Sequence, residues 1–471
     1  MPRTTIVGDL KEEFEGAEVG DWRLRDRLMR VSEALDEAPA KSIPGATKSV
    51  AEREAAYRLL GNQRVSMAGI LAGHVGSTVH RCRQAGRVYV VSDTTEFSFA
   101  GEDRGKRLGR VNTNTRGFLG HFALAVDAED PATPLGVLGI EIIVRSDQKK
   151  PAQNIYQRKK DPERESLRWE RMVETTTASL GSVQAIHLMD SEADIYELLT
   201  ALQNKSRRFI IRSGQDRLVT DGHLDDAIAR GQVLMSREVY LSRRKVTATQ
   251  TSRRNPPRKG RAAQLEVSAT QVSLRKPKTC TSEYPSSLSV NVVHVRENTP
   301  PEGERPIEWI LFTSEPISSA EEVAAVVDGY RRRWLIEEYF KAIKTGCDYE
   351  KRELESVRTL TNLLAIISII AWRLLLLRAL QRDQSDRPAT DVVEPILLEA
   401  LAANLVKNRE PKRLPDNPTV SDLMTAIARL GGHITSNGPP GWQVLWRGYQ
   451  DLLLFADGYI LAKSITYCDQ S

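Results

Sequence analysis

"RVYVVSDTTEF", residues 87 to 97, is the stretch on which the fold turns. Val88, Tyr89, Val90 and Val91 form a β-branched and aromatic run that closes on an acid, Asp93, and the pattern predicts a central strand. A second stretch, "AIHLMDSEADIYELL" at 185–199, repeats the plan with a short apolar strand, the acid Asp190 and then a helical pattern. Between them, "GHFALAVDA" and "LGVLGIEIIVR" read as two further strands joined by a turn containing "EDPATP", and residues 162 to 182 read as a helix. "SRRFIIRSG" adds another strand. Three meandering strands followed by alternating helix and strand predict a mixed α/β sheet.

Residues 215 to about 305 interrupt this order. They are rich in Thr, Ser, Val, Arg and Lys, with alternating stretches such as "SLSVNVVHV" and turn clusters such as "SRRNPPRKG". An inserted, mostly β subdomain with a basic loop is expected there, and "IEWILFTSE" at 307–315 resumes the core. On either side the chain reads as helical. "GDWRLRDRLMRVSEAL" sets Arg23, Arg25, Arg27 and Arg30 among spaced leucines, and "SVAEREAAYRLLGNQ" follows the break "SIPGA". Such an arginine-rich helix is either a solvated face or part of a compact DNA-binding module. The expected organisation is a helical part at 1–70, an α/β part at 71–375 and a helical part at 376–471.

A chain of 471 residues, 40% hydrophobic and 27% charged, has room for several domains and the composition of a soluble globular protein. Its net charge is only +5, yet Arg243 to Arg261 holds eight Arg or Lys residues and no acid, and "RKPK" follows at 275–278. Positive charge concentrated in this way suits a polyphosphate backbone. The four cysteines form no CxxC pair, so neither a zinc site nor a disulfide framework is indicated. The N-terminal residues lack the apolar core of a signal peptide. The most apolar stretch, "LLAIISIIAWRLLLLRAL", is broken by Trp372, Arg373 and Arg378 and reads as a buried helix, not a membrane span. A cytosolic protein with no membrane partner is expected.

"VVDGYRRRWLIEEYFKAIKTG", residues 326 to 346, reads as one amphipathic helix. At about 100° per residue, Tyr330, Arg333, Glu337, Lys341 and Lys344 fall within roughly 80° of one another, and Leu335, Ile336, Tyr339 and Ile343 lie opposite. The ordinary reading of the polar side is a wet face with ion pairs. The ordinary reading of Asp93 and Asp190 is a helix cap or turn former. The sharper reading joins the acids. Three carboxylates brought to one point repel unless a cation lies between them, and a hard cation such as Mg²⁺ takes oxygen ligands while leaving positions for phosphate and water. Two such ions can stabilise the attacking and leaving oxygens of a phosphoryl displacement, with no histidine base. Arg333 and Lys344 would then grip phosphates on either side of Glu337, and Tyr330 would bond another.

"YRRRWLIEEYFKAIK" carries Tyr330, Arg333, Glu337 and Lys344 at the spacing Tyr-x2-Arg-x3-Glu-x6-Lys, and with "DTTEFSF" and "DSEADIY" the chain resembles the DDE transposases of bacterial insertion sequences, the insertion-sequence-four family. "AAYRLLGN", "WILFTSEP" and "MTAIARLGG" extend the resemblance along nearly the whole chain. It implies a ribonuclease-H-like mixed-sheet core with an inserted β subdomain, flanked by an N-terminal end-binding domain and a C-terminal dimerisation domain. It implies Asp93, Asp190 and Glu337 as metal ligands for two Mg²⁺, with Mn²⁺ as a substitute, and Tyr330, Arg333 and Lys344 as contacts to terminal phosphates. Trp309 matches a tryptophan that stacks on a flipped base, and Arg212 an arginine near the active site. Arg27, Arg30, Arg243, Arg244, Arg253, Arg254, Arg258 and Lys259 complete the expected DNA contacts. The partners implied are double-stranded DNA, as transposon ends and target, and a second copy of the chain in a synaptic homodimer. Ser191 departs from the arginine found there in a relative. Glu338 and Asp194 lie beside the catalytic candidates and are read as bystanders. The activity implied is cut-and-paste transposition through a hairpin; a nuclease without strand transfer and a catalytically silent DNA-binding regulator are the alternatives.

Overall fold

The computed structural model describes residues 9–99, 108–111, 115–130, 133–146, 154–241, 259–354, 356–382, 386–407, 413–434 and 439–468. The chain opens with helices α1 (Leu10–Glu15), α2 (Trp22–Glu37), α3 (Ile43–Ala46), α4 (Val50–Gly61) and α5 (Met67–Ala85). Local chemistry starts each of them: Asp9, Asp21, Ser42, Ser49 and Ser66 each accept a hydrogen bond from a first-turn backbone N–H. Gly86, at φ +73°, stops α5 in the left-handed conformation and hands the chain to the sheet.

The strands β1 (Arg87–Ser98), β2 (Gly109–Arg110), β3 (Arg116–Asp127) and β4 (Pro134–Ile143) follow, then α6 (Ile155–Lys160) and α7 (Arg168–Leu180). Next come β5 (Gln184–Met189), α8 (Tyr196–Asn204), β6 (Arg208–Arg212), β7 (Leu218–Val219), β8 (Gly222–His223) and α9 (Leu224–Ala229). The long strands β9 (Gln232–Leu241), β10 (Arg261–Arg275) and β11 (Ser287–Glu297) lead into β12 (Glu308–Thr313) and α10 (Ala320–Arg331). The last helices are α11 (Trp334–Lys341), α12 (Val357–Arg382), α13 (Pro395–Lys407), α14 (Val420–Leu430) and α15 (Trp442–Cys468).

The chain forms two compact units, one of residues 1–88, 94–148 and 335–471, the other of residues 89–93 and 149–334. In the first unit, β3 pairs antiparallel with β4 in the register Phe122↔Ile140. Its core is organised around α12, which is apolar on every side and therefore buried rather than surface-lying. By length and composition α12 would cross a membrane, but 83% of its apolar window is buried inside the protein. Several of the polar groups along it find partners on other elements. Asn362 donates to the carbonyls of Leu60 and Val65, Trp372 Nε1 donates to the Pro134 carbonyl at 2.8 Å, and Arg373 pairs with Asp36 of α2 at 2.6 Å.

In the second unit the strand order is β1-β5-β6-β12-β11-β10, with β9 and β7 both on β10. β5 and β6 are parallel, Met189↔Ile211, and the remaining long pairs from β6 to β10 are antiparallel. The inserted strands are thus hydrogen-bonded onto the core through β11 and β12. One apolar cluster of Trp169, Tyr196, Leu199, Phe209, Leu274, Val290 and Phe312 lies beneath core and insertion alike.

Candidate active site

β1 is longer than its apolar run. Residues 88–92 are buried without interruption, then Thr95 and Phe97 are buried around an exposed Glu96, so two-sided burial gives way to the alternation of a one-sided strand. Asp93 therefore sits inside β1 at that change and does not close the strand, because the β-branched Thr94 and Thr95 carry the extended backbone onward. Asp190 does close β5. Its Oδ1 accepts the Glu192 backbone N–H at 2.9 Å and caps a single turn at Ser191–Ala193. Because β1 and β5 are neighbours, the second unit carries both aspartates on adjacent strands.

The stretch 326–346 is not one helix. α10 ends at Arg331, Arg332 and Arg333 form a turn, and α11 begins at Trp334, where the second unit gives way to the first. The Arg332 and Arg333 N–H groups fold back on the carbonyls of Gly329 and Tyr330, at 3.0 Å each, which tightens the end of α10. A five-residue π-helical turn, Ala342–Gly346, then follows α11. The single polar stripe drawn on an ideal helix is thus divided among a helix end, a turn, a helix and a π turn, and each residue takes its place from packing rather than from the wheel.

In the second unit, Arg333 Nη1 donates to Asp93 Oδ2 at 2.8 Å, with both side chains 16% exposed. Tyr330 is buried, and its ring meets that of Trp309 edge to face at 5.9 Å. Burial pushes the Tyr330 hydroxyl up to about 12 against the pull of Arg333 and then Arg212, with the Asp190 charge raising it further. α10 approaches β1 so closely that a Cβ on Gly329 would stand 2.9 Å from the Tyr89 hydroxyl. Arg212 ends β6 with its side chain exposed, opposite Leu311 of β12. This unit therefore brings Asp93, Asp190, Arg212, Trp309, Tyr330 and Arg333 into one neighbourhood.

The other two signature residues belong to the first unit. Glu337 is half-buried on α11. Lys344, in the π turn, donates to the Glu96 carbonyl at 2.5 Å, lies 5.5 Å from the Phe97 ring centre and stands 3.9 Å from Glu350. Glu350, which also accepts the Ser98 N–H at 2.8 Å, positions Lys344, and no spacing in the sequence marked it. Glu338 is buried and clasped by Lys341 at 2.7 Å and Arg382 at 2.9 Å. Asp194 is buried on Arg217 at 2.6 Å and on the Gly214 N–H at 2.9 Å.

Of the remaining expected DNA contacts, Arg27 and Arg30 lie on α2, where Arg30 pairs with Asp26 at 3.1 Å, in the wall of a groove of about 620 Å³ between α2 and α4. Lys259 is exposed just before β10. Arg243, Arg244, Arg253, Arg254 and Arg258 lie outside the described residues. Among the described residues no group of three His, Cys, Asp or Glu side chains is gathered to hold a metal ion. What the second unit offers is a pair of aspartates on adjacent strands, a hard-oxygen donor set that fits Mg²⁺ or Mn²⁺ in kind.

Three family matches divide the chain in order. Residues 9–65 match the Transposase DNA-binding family, 168–374 the Transposase DDE domain family, and 369–469 the Transposase Tn5 dimerisation domain family. Asp190, Trp309, Tyr330, Arg333, Glu337 and Lys344 fall inside the DDE match, and Asp93 lies before it. With strand-borne aspartates, the four-residue signature and all three matches in sequence order, the chain belongs to the insertion-sequence-four-like DDE transposases related to the Tn5 enzyme, and it is a DNA transposase.

Proposed function

We propose that this transposase works by cut-and-paste through a hairpin intermediate, with Asp93, Asp190 and Glu337 as its catalytic acids. The observation that carries the reading is the grouping of Asp93 and Asp190 with Tyr330, Arg333, Arg212 and Trp309 in one unit: two acids beside a set of phosphate- and base-binding side chains. Glu337 is assigned as the third acid on its signature spacing. Residues 1–70 would bind the transposon end, 71–375 carry the chemistry and 376–471 pair two protomers in the synaptic complex.

Asp93, Asp190 and Glu337 would hold two divalent ions, which when bound supply a nucleophile at neutral pH and neutralise charge on the scissile phosphate. The protein's own groups do the rest. Arg333 and Arg212 offer planar guanidinium forks to phosphates flanking the cut. Tyr330, protonated far above neutral pH, donates its hydroxyl proton to a phosphate oxygen. Trp309, edge-on to Tyr330, receives an unstacked base at the end of the duplex, where stacking offsets part of the distortion required for a hairpin.

The test uses duplex DNA containing the element's own end, Mg²⁺ and full-length protein. Nicking, hairpin-ended products and joined 3′ ends are expected from the wild type. Glu337→Gln should abolish all three, and Glu338→Gln should spare them. Nicked products without hairpins or joining would replace this reading with that of a nuclease lacking strand transfer.

A further inference from the structure

We propose that Arg333 is an internal counter-cation for Asp93, which competes with divalent metal for that carboxylate and releases it when a DNA phosphate claims the guanidinium. The inference rests on the assignment of Asp93 as a metal ligand. It begins from the ion pair itself. Arg333 Nη1 and Asp93 Oδ2 are 2.8 Å apart, with both side chains 16% exposed, where screening by water is weaker than at an open surface. A divalent ion that binds Asp93 must displace or share this contact. The position of Arg333 makes displacement feasible, because it lies in the two-residue turn between α10 and α11 and its side chain can swing without unwinding either helix.

Asp190 is held differently. Its Oδ1 takes a backbone N–H from Glu192, a fixed neutral donor that orients the carboxylate without cancelling its charge. Among the described residues, Asp93 is thus the one of the two aspartates paired with a side-chain cation, and loading of metal onto the pair is limited at Asp93. Guanidinium groups bind phosphate through two parallel N–H bonds at least as well as they bind a single carboxylate oxygen. A phosphate at the site therefore draws Arg333 from Asp93, and the freed carboxylate binds metal more tightly. By reciprocity, metal tightens DNA binding by the same factor. The enzyme would then hold its ions firmly only when DNA is in place.

The test is Mn²⁺ binding to the full-length protein without DNA, followed by electron paramagnetic resonance of the free ion. Arg333→Gln should bind Mn²⁺ about tenfold more tightly than wild type, the size of a typical coupling between two ligands. Arg333→Lys, which keeps the charge, should stay near wild type, and adding Asp93→Asn to Arg333→Gln should remove the gain. Arg333→Met is a second neutral variant should the glutamine protein fail to fold, as judged by its melting temperature. Unchanged or weaker Mn²⁺ binding in the neutral variants, with Asp93→Asn still weakening it, would overturn the competition and leave the metal assignment standing. If Asp93→Asn has no effect on Mn²⁺ binding in any background, the ions bind elsewhere, and the metal assignment falls together with the inference built on it.

Discussion

Two acidic stretches, residues 190–194 after β5 and residues 337–338 on α11, are built on the same contrast. In the first, Asp194 is buried against Arg217 and the Gly214 N–H, whereas Asp190, four residues earlier, is half-buried and accepts a hydrogen bond from the Glu192 backbone amide. In the second, Glu338 is buried in a clasp of Lys341 and Arg382, and its neighbour Glu337 remains half-buried. A folded chain buries an acid fully only where it supplies the compensating charge itself. The acid beside such a clasp keeps part of its surface open to solvent. In both stretches the acid that matches the transposase pattern is the half-buried one, and the fully buried neighbour is the one held in the clasp.

The largest effect that can break this contrast is on activity. Asp190→Asn should lower Mg²⁺-dependent cleavage of end-containing DNA by about a thousandfold or more, since a neutral amide neither binds the ion well nor supports its charge. Its melting temperature should stay within a few degrees of wild type, because the Oδ1 contact to the Glu192 amide can be kept. Comparable cleavage by Asp190→Asn and wild type would remove the distinction between the two aspartates.

Next in size is the clasp. Arg217→Met leaves the Asp194 carboxylate buried without its guanidinium, and breaking one partner of a buried pair costs about 3–5 kcal/mol. The melting temperature of the full-length protein should fall by several degrees, and cleavage measured well below it should persist. A variant as stable as wild type but inactive would make Asp194 part of the chemistry rather than the scaffold.

The sequence disclosed much of this because both signals are local. The apolar runs before Asp93 and Asp190 announce strands, and four residue types at fixed gaps announce the signature. Other features depend on contacts between distant segments. Nothing in 326–346 predicts the turn at Arg332 and Arg333, since the sequence has neither proline nor a capping pattern there and would continue as a helix on its own. The ion pair between Arg333 and Asp93 joins residues 240 apart. Glu350 beside Lys344 and the clasps on Asp194 and Glu338 likewise come from tertiary packing. β1 runs past Asp93 because Thr94 and Thr95 favour extended backbone, a preference outweighed in the reading by the acid's resemblance to a strand terminator.

The smallest effect separates the strand that carries Asp190 from the acid itself. His187, on β5, is 1% exposed, and among the described residues its Nδ1 has no hydrogen-bond partner. Burial, and then the charge of Arg207, push its pKa down to about 4 from an ordinary 6.5. The folded protein thus holds this histidine neutral while the unfolded chain protonates it more readily. Its share of the stability is complete above pH 6.5 and is lost progressively as pH falls from 6.5 to about 4. The loss amounts to about 2 kcal/mol by pH 5 and about 3 kcal/mol by pH 4, at 1.36 kcal/mol per unit. His187→Leu fills an apolar position without a titrating group, so its melting temperature should vary less with pH across that window than that of wild type. If the acid loss belongs to β5, cleavage assayed well below the melting temperature should be the same in the two proteins at pH 7. An equally steep decline in the leucine protein would move the acid sensitivity away from β5 and onto the carboxylates.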